Sequence, residues 1–312
     1  MALEQADVVI GGLADADHGD ARRAVHEARK AIKRLRTIVR LLEGQLGRGG
    51  SARERDALGA AASLLAGARD AEVMLNTLDG LLARHPGQLA AKAGVASLRL
   101  QLAHDRDRAE RRVLEPRNRL RVGDELRLFR GRAASWQLLE RPGTGVVEDG
   151  LSRVYRQGRK RFRRAAAKRG GRMRTMHQWR KRVKDLRYSA EALQREMPAG
   201  HPRRKGSEPA AIARAEAKWL RRLGRRADAL GEVLGEEHDL AVLGEWIAAH
   251  GAGAGVGRGT RRRLLKLIER RRRKLRRRAL RAGGELYARK PARFVRRAAK
   301  AYRRSSPALS RR

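Results

Sequence analysis

Between Val25 and Leu42 the apolar residues Val25, Ala28, Ile32, Leu35, Val39 and Leu42 recur every three or four positions, the spacing of one helix face. His26, Arg29, Lys30, Lys33, Arg36 and Arg40 fall on the opposite face. The pattern returns from Met176 to Leu193. There Met176, Trp179, Val183, Leu186, Ala190 and Leu193 form the stripe, and His177, Arg180, Lys181, Lys184 and Arg187 face away from it. Laid on one another, His26 meets His177, Arg29 meets Arg180, Lys30 meets Lys181, Lys33 meets Lys184 and Arg36 meets Arg187. An apolar stripe packs into a core, so each copy holds a row of cations and one imidazole on its other side. Charge runs are usually solvated faces, and for a single copy that account is as good as a functional one. A solvated face needs only polarity, however, not residue type and order. The duplicated face is a candidate site.

Helical spacing covers most of the remaining chain. The pattern predicts helices over Leu3–Leu13, from an Asp20 N-cap to about Leu46 with a stop at Gly47–Ser51, and from Ser51 to His85–Pro86 with a break near Gly67. Further helices are predicted over Gln88 to about Arg112, Gly123–Leu139 after an interruption at Pro116, Val146–Lys168, and the second motif up to Glu196. Pro198–Pro209 reads as a loop. Ala210–Gly235 and Glu236–His250 read as two helices, Gly251–Gly259 as a flexible linker, and Thr260 to about Arg281 and Pro291–Arg304 as the last helices. Alternating Val/Ile/Tyr runs and hairpin turns are missing, so the predicted class is all-α. A second match, Gly67–Leu75 on Gly235–Leu243, sets Arg69 and Asp70 over His238 and Asp239. With the turn formers of Arg141–Gly145 at the midpoint, the chain divides into halves 1–143 and 144–304 and a disordered tail, 305–312. Repeats at half-chain spacing point to two similar units packed together. About a two-fold axis, their basic faces would meet across a cleft.

Charge says what such a cleft would hold. Among 312 residues, 76 Lys and Arg stand against 34 Asp and Glu, a formal +42. Like charge on that scale repels itself unless a polyanion lies against it, which makes nucleic acid, an anionic membrane surface or an inorganic polyanion the candidates. Cysteine is absent, which excludes disulfides and thiolate chemistry and suits a reducing compartment. The first twenty residues are acidic and lack a secretory pattern, and no run approaches the ~18 apolar residues of a membrane span. A cytoplasmic location without membrane insertion is expected. The eight histidines show no HxH or HExxH spacing, and no phosphate-binding Gly-rich loop with its Lys occurs. No metal, cofactor or catalytic set is therefore expected. Asp70 and Asp239 read as structural partners of neighbouring arginines, in a supporting role with Arg69 and His238, instead of as catalytic acids. The densest basic run, Arg261–Leu280, has cations all round and is expected to extend the field of the main site.

The His26–Arg36 and His177–Tyr188 runs, the ARD and EHD turns at Ala68–Asp70 and Glu237–Asp239, and the closing Leu286–Tyr302 segment are together similar to the CHAD family, named for conserved histidines in an α-helical domain. The resemblance implies two four-helix bundles related by a pseudo-two-fold axis, with a basic groove or pore between them that binds inorganic polyphosphate. It also implies association with polyphosphate granules and, as a candidate partner, a triphosphate-metabolising enzyme of the CYTH type. Carried over by position, the binding residues are His26, Arg29, Lys33, Arg34 and Arg36, with His177, Arg180, Lys181, Lys184, Arg187 and Tyr188. The helical face adds Lys30 and Arg40 to these. Lys30, Lys33 and Asp185 depart from the family pattern, Asp185 standing where the first copy has Arg34. The ExExK run of the CYTH enzymes is missing.

The residues suit that ligand. Polyphosphate has about one charge per unit and no base to read. Arg offers a planar fork to two phosphate oxygens and Lys a mobile point charge, and a cation every three or four residues on a helix places them about 5–6 Å apart. The expected function is non-catalytic polyphosphate binding. The alternative is a sequence-neutral nucleic-acid binder of the nucleoid type working through counterion release, and some such binding is expected at low salt. Aromatics at 4% give base stacking little support.

Overall fold

In a computed structural model, residues 2–14, 21–89, 94–136, 144–167, 172–195 and 208–305 are described. They form α1 (Ala2–Ala14), α2 (Ala21–Leu41), α3 (Glu43–Leu64), α4 (Ala66–Arg84), α5 (Pro86–Leu89) and α6 (Val95–Leu114). The second part of the chain adds α7 (Pro116–Ala134), α8 (Thr144–Ala166), α9 (Met173–Arg195), α10 (Glu208–His250), α11 (Arg258–Leu286) and α12 (Pro291–Ser305). No strand occurs among the described residues, and the fold is all-α. Among the described residues no helix is long and apolar enough to cross a membrane. Asp20, most of the Arg141–Gly145 and Pro198–Pro209 stretches, and the tail beyond Ser305 lie outside the described residues.

The two apolar stripes behave as their spacing requires. On α2, Val25, Ala28, Ile32, Leu35 and Val39 are buried, and on α9 so are Met176, Trp179, Val183, Leu186, Ala190 and Leu193. Helices α1, α2, α3 and α7 close one ring around Val9, Ile32, Leu35, Leu58, Leu126 and Phe129. Helices α8, α9, α10 and α12 close another. The α4–α6 pair and α11 pack onto α10. The larger core joins Leu75, Leu78 and Leu98 to Trp179, Leu186, Leu240 and Leu264, drawing on both sides of the Arg141–Gly145 stretch. Helix α2 also touches α8 and α9, which sets the two motif helices side by side.

Several boundaries differ from the pattern-based expectation, each for a local reason. The first motif helix ends at Leu41, and the following segment is kinked at Gly47 (φ 69°, ψ 166°) but is helical again through Gly50 and Ser51. Pro116 starts α7 instead of interrupting it. It needs no hydrogen-bonded N–H in the first turn, and Glu115 before it is extended (φ −54°, ψ 133°), as the residue preceding proline prefers. Residues 208–250 form one 43-residue helix, not two. Gly235 costs a helix about 1 kcal/mol relative to Ala, but α9 packs on α10 at Gly224 and Gly235, and α11 packs on it at Glu236, Glu237 and Gly244. The expected flexible linker is a packed turn. Gly251 N–H donates to Ile247 O (2.9 Å), Val256 N–H to Gly251 O (2.9 Å), and Ala254 and Val256 enter the core. Gly255 lies against Gly94, where a Cβ would come within 2.8 Å of Val256 Cα.

An aromatic cluster fixes α9. Trp179 is fully buried and meets Phe162 of α8 (centroids 5.3 Å). Tyr155 stacks on Phe294 of α12 (3.8 Å, 8°) and donates to Arg289 O (3.0 Å). With Trp179 locked on one side of α9, its cationic side is held toward α2, α4 and α10.

Candidate anion-binding site

The motif faces of α2 and α9 converge. Lys33 has Arg29, Arg69, Arg180 and Arg187 around it, and Lys184 has Arg180 and Lys33, with Asp239 and Glu232 beyond. Crowding of this kind disfavours charge. Burial, then Arg180 and Lys33, pushes Lys184 down to about 8. Burial and then Arg29 pull Lys33 below its ordinary value, although its side chain still reaches solvent. Burial, with Arg69 beside it, does the same to Arg29. Arg180 Nε is buried with no hydrogen-bond partner among the described residues. Gly235 of α10 lies beside this guanidinium, at ordinary contact distance: a Cβ there would be 3.5 Å from Arg180 Nη2.

His177 faces His238 of α10, ring centroids 4.3 Å apart. Burial, with Lys181 and Arg180 for His177 and with His177 and Arg180 for His238, lowers both to about 4. Both rings are therefore neutral near pH 7. Each buries an Nδ1 without a hydrogen-bond partner among the described residues.

Next to this cluster a cleft of about 590 Å³ opens between α4, α9, α10 and α11. Arg69, Arg84, Arg180, Lys184 and Arg278 line it, with Asn76, Thr77 and the carboxylates Glu232, Glu236 and Asp239. Glu236 is committed to Arg271 (2.8 Å) and Arg84 (3.3 Å). Burial raises the Asp239 carboxyl, against the pull of Arg180 and Lys184. Asp70 and Asp239 make no direct ion pair among the described residues, and each faces its arginine, Arg29 or Arg180, at longer range. Among the described residues no three His, Cys, Asp or Glu side chains gather as a metal-holding group.

The other predicted site residues divide into those at the cluster and those engaged elsewhere. Lys181 is exposed near His177 and His238. Arg36 is exposed, in the field of Asp185. Arg187 pairs with Glu191 (2.7 Å) and Asp228 and lies 5.5 Å over the Tyr188 ring. Arg34 is close to Tyr188 and donates to Gln5 Oε1 (3.2 Å). Lys30 turns to Glu27 (2.8 Å), and His26 is exposed beside the same carboxylate. Arg40 sits in the seam between α2, α8 and α9, 3.5 Å from Asp185 and donating to Gln157 (3.4 Å). Arg182 completes that seam, 3.1 Å from Asp185. Burial raises the Asp185 carboxyl to about 6.

Arg84, Asn76, Thr77 and Glu232 were not anticipated. The one sequence signal for the acidic wall is the spacing of Glu232, Glu236 and Asp239, which share one face of a helix. The ARD and EHD segments are helical, not turns. Their neighbourhood also revises the role of the densest basic run. Arg271 pairs with Glu236, while Arg272 (3.1 Å) and Arg276 (2.9 Å) share the buried Glu237. These arginines hold α11 on α10, and Arg278 is the one from that stretch that lines the cleft.

The CHAD domain family matches residues 3–205. The chain belongs to the CHAD family. No curated protein and no solved structure matches it. The CHAD match contains both motif helices and Arg69 and Asp70 of α4, while His238, Asp239 and Arg278 come from helices beyond it.

Proposed function

We propose that this CHAD protein binds inorganic polyphosphate, with the chain lying over the α2–α9 cluster and entering the cleft beside α10, and that it acts as a binder and not as an enzyme. One observation carries the reading. Arg180, with its buried and unpartnered Nε, stands among Lys184, Lys33 and the His177–His238 pair. Half-buried cations set against other cations raise the energy of the empty site, and an anion offsets it. A ligand rich in phosphate oxygens and free of bulky groups suits the arrangement. The imidazoles add donors that charge when phosphate approaches. Family membership supports the same ligand, and targeting to polyphosphate granules with a triphosphate-metabolising partner belongs to this proposal. The correspondence of α1, α2, α3–α4, α6 and α7 with α8, α9, α10, α11 and α12 supports an internal duplication behind the paired faces.

The test is a competition at physiological salt. Labelled long-chain polyphosphate bound to the protein is challenged with duplex DNA at matched phosphate concentration. Retention against a large excess of DNA is expected. Displacement at parity would show generic charge binding, and nucleic acid would become the leading ligand.

A further inference from the structure

Away from the motif cluster, α8 presents a second cationic face. Arg156, Arg159, Lys160, Arg163 and Arg164 recur at helical spacing, opposite Leu151, Val154, Tyr155 and Ala165, which are buried. These five side chains and Pro291, the first residue of α12, line a groove of about 400 Å³. It shares no lining residue with the cleft beside α10.

Two features set this face apart from an ordinary solvated one. None of the five cations makes an ion pair among the described residues, whereas Arg271, Arg272 and Arg276 on α11 are all neutralised by glutamates. Two of them are also positioned by neutral acceptors. Arg156 Nε donates to Ser152 Oγ (2.9 Å), and Arg159 Nε donates to Tyr287 O (3.1 Å). Their forks are thus held in place without loss of charge, the preorganisation that bidentate phosphate contacts require. Pro291 brings the positive end of α12 to the same groove.

We infer that the groove between α8 and the start of α12 is a second binding site for an oligophosphate segment, so that one long chain engages the protein twice. This rests on the polyphosphate reading of the main cleft. Two linked contacts would make affinity depend steeply on chain length, since the second is made at the high effective concentration set by the first.

Titration calorimetry at about 150 mM salt, where exposed charges are screened beyond ~8 Å, tests it with tripolyphosphate as the probe. The wild-type protein is expected to take up two equivalents. The exposed triple variant Lys160→Glu/Arg163→Glu/Arg164→Glu should keep one, and so should Arg180→Glu/Lys184→Glu. For long-chain polyphosphate the triple variant should lose about 100-fold in affinity while its remaining tripolyphosphate equivalent is unchanged. The neutral set Lys160→Gln/Arg163→Gln/Arg164→Gln serves if charge reversal disturbs folding. Two equivalents retained in the triple variant, or a single wild-type equivalent that the variant leaves untouched, would overturn the groove. Two equivalents retained in Arg180→Glu/Lys184→Glu would instead overturn the main-cleft reading and leave the groove standing.

Discussion

Helices α2 and α9 carry nearly the same string of residues and occupy unequal surroundings. On α9, His177 is half-buried against His238, Arg180 has a buried Nε, and Lys184 is pushed down to about 8. On α2, His26 is exposed, Lys30 is neutralised by Glu27 and Arg40 is drawn into the seam with Asp185. The difference arises from what packs on each. Helix α10 passes α9 unbroken and brings His238, Asp239 and Gly235 to it, whereas the matching segment on the α2 side is split into α3 and α4. A repeated motif therefore does not imply repeated energetics. Burial lowers Arg29 and Lys33 on α2 as well, but the larger shifts fall on His177 and Lys184 of α9. The α9 copy is therefore the more strongly desolvated one, where each cation's contact with phosphate is worth more.

The largest test of that inequality is charge reversal. Arg180→Glu with Lys184→Glu should weaken polyphosphate binding about 1,000-fold, as expected for two charge-assisted contacts of about 1.5–3 kcal/mol each. Arg29→Glu with Lys33→Glu should cost clearly less, and equal losses in the two variants would end the comparison. Circular dichroism should show unchanged helix content in both.

A pH series sharpens it. Lys184 loses its proton near pH 8 in the free site, and bound phosphate holds that proton on. Binding should take up protons and weaken by about 10-fold as pH rises from 8 toward 10. Lys184→Arg, which does not titrate there, should flatten that profile, and an unchanged slope would remove Lys184 from the site.

The histidines provide a third contrast. In the folded protein without ligand, His177 and His238 resist protonation down to about 4, against 6.5 for an ordinary imidazole. The unfolded chain takes up those protons first, so stability should fall as pH drops from about 6.5 to about 4 and level off below. Polyphosphate favours the imidazolium, so affinity should rise over the same interval. Thermal melts across that window, with and without polyphosphate, read both effects. Equal affinity at pH 6.5 and pH 4.5 would contradict the imidazole contribution.

The smallest expected effect is on stability at neutral pH. His177→Ala should cost about 1 kcal/mol and His26→Ala less than about 0.5 kcal/mol, measured by urea unfolding. A larger loss at His26 would reverse the assignment of the buried copy.

Helix content and the two motif faces were legible because apolar spacing directly reports which side of a helix meets a core. Val25 to Val39 and Met176 to Leu193 are buried on the side their spacing indicates. The single α10 was not legible, because a glycine such as Gly235 breaks or tolerates a helix according to what packs beside it. Nor was the partner of each charge. Arg40 and Arg180 look alike in sequence and both bury an Nε without a hydrogen-bond partner, yet Arg40 lies 3.5 Å from Asp185 of another helix, whereas Arg180 makes no ion pair among the described residues. The run from Arg261 to Leu280 read as an extension of the main site's field, but Glu236 and Glu237 neutralise Arg271, Arg272 and Arg276 within it.

From the sequence alone came the helical class, the duplicated cationic faces and the demand for a polyanion, since periodicity and net charge are properties of the chain itself. Tertiary structure decided which cations are neutralised and which are crowded, and it brought His177 to His238 and Lys33 to Lys184. Those outcomes depend on distances between residues far apart in the chain. Burial and the fields of neighbouring charges, which set how strongly a site attracts an anion, exist only once the helices have packed.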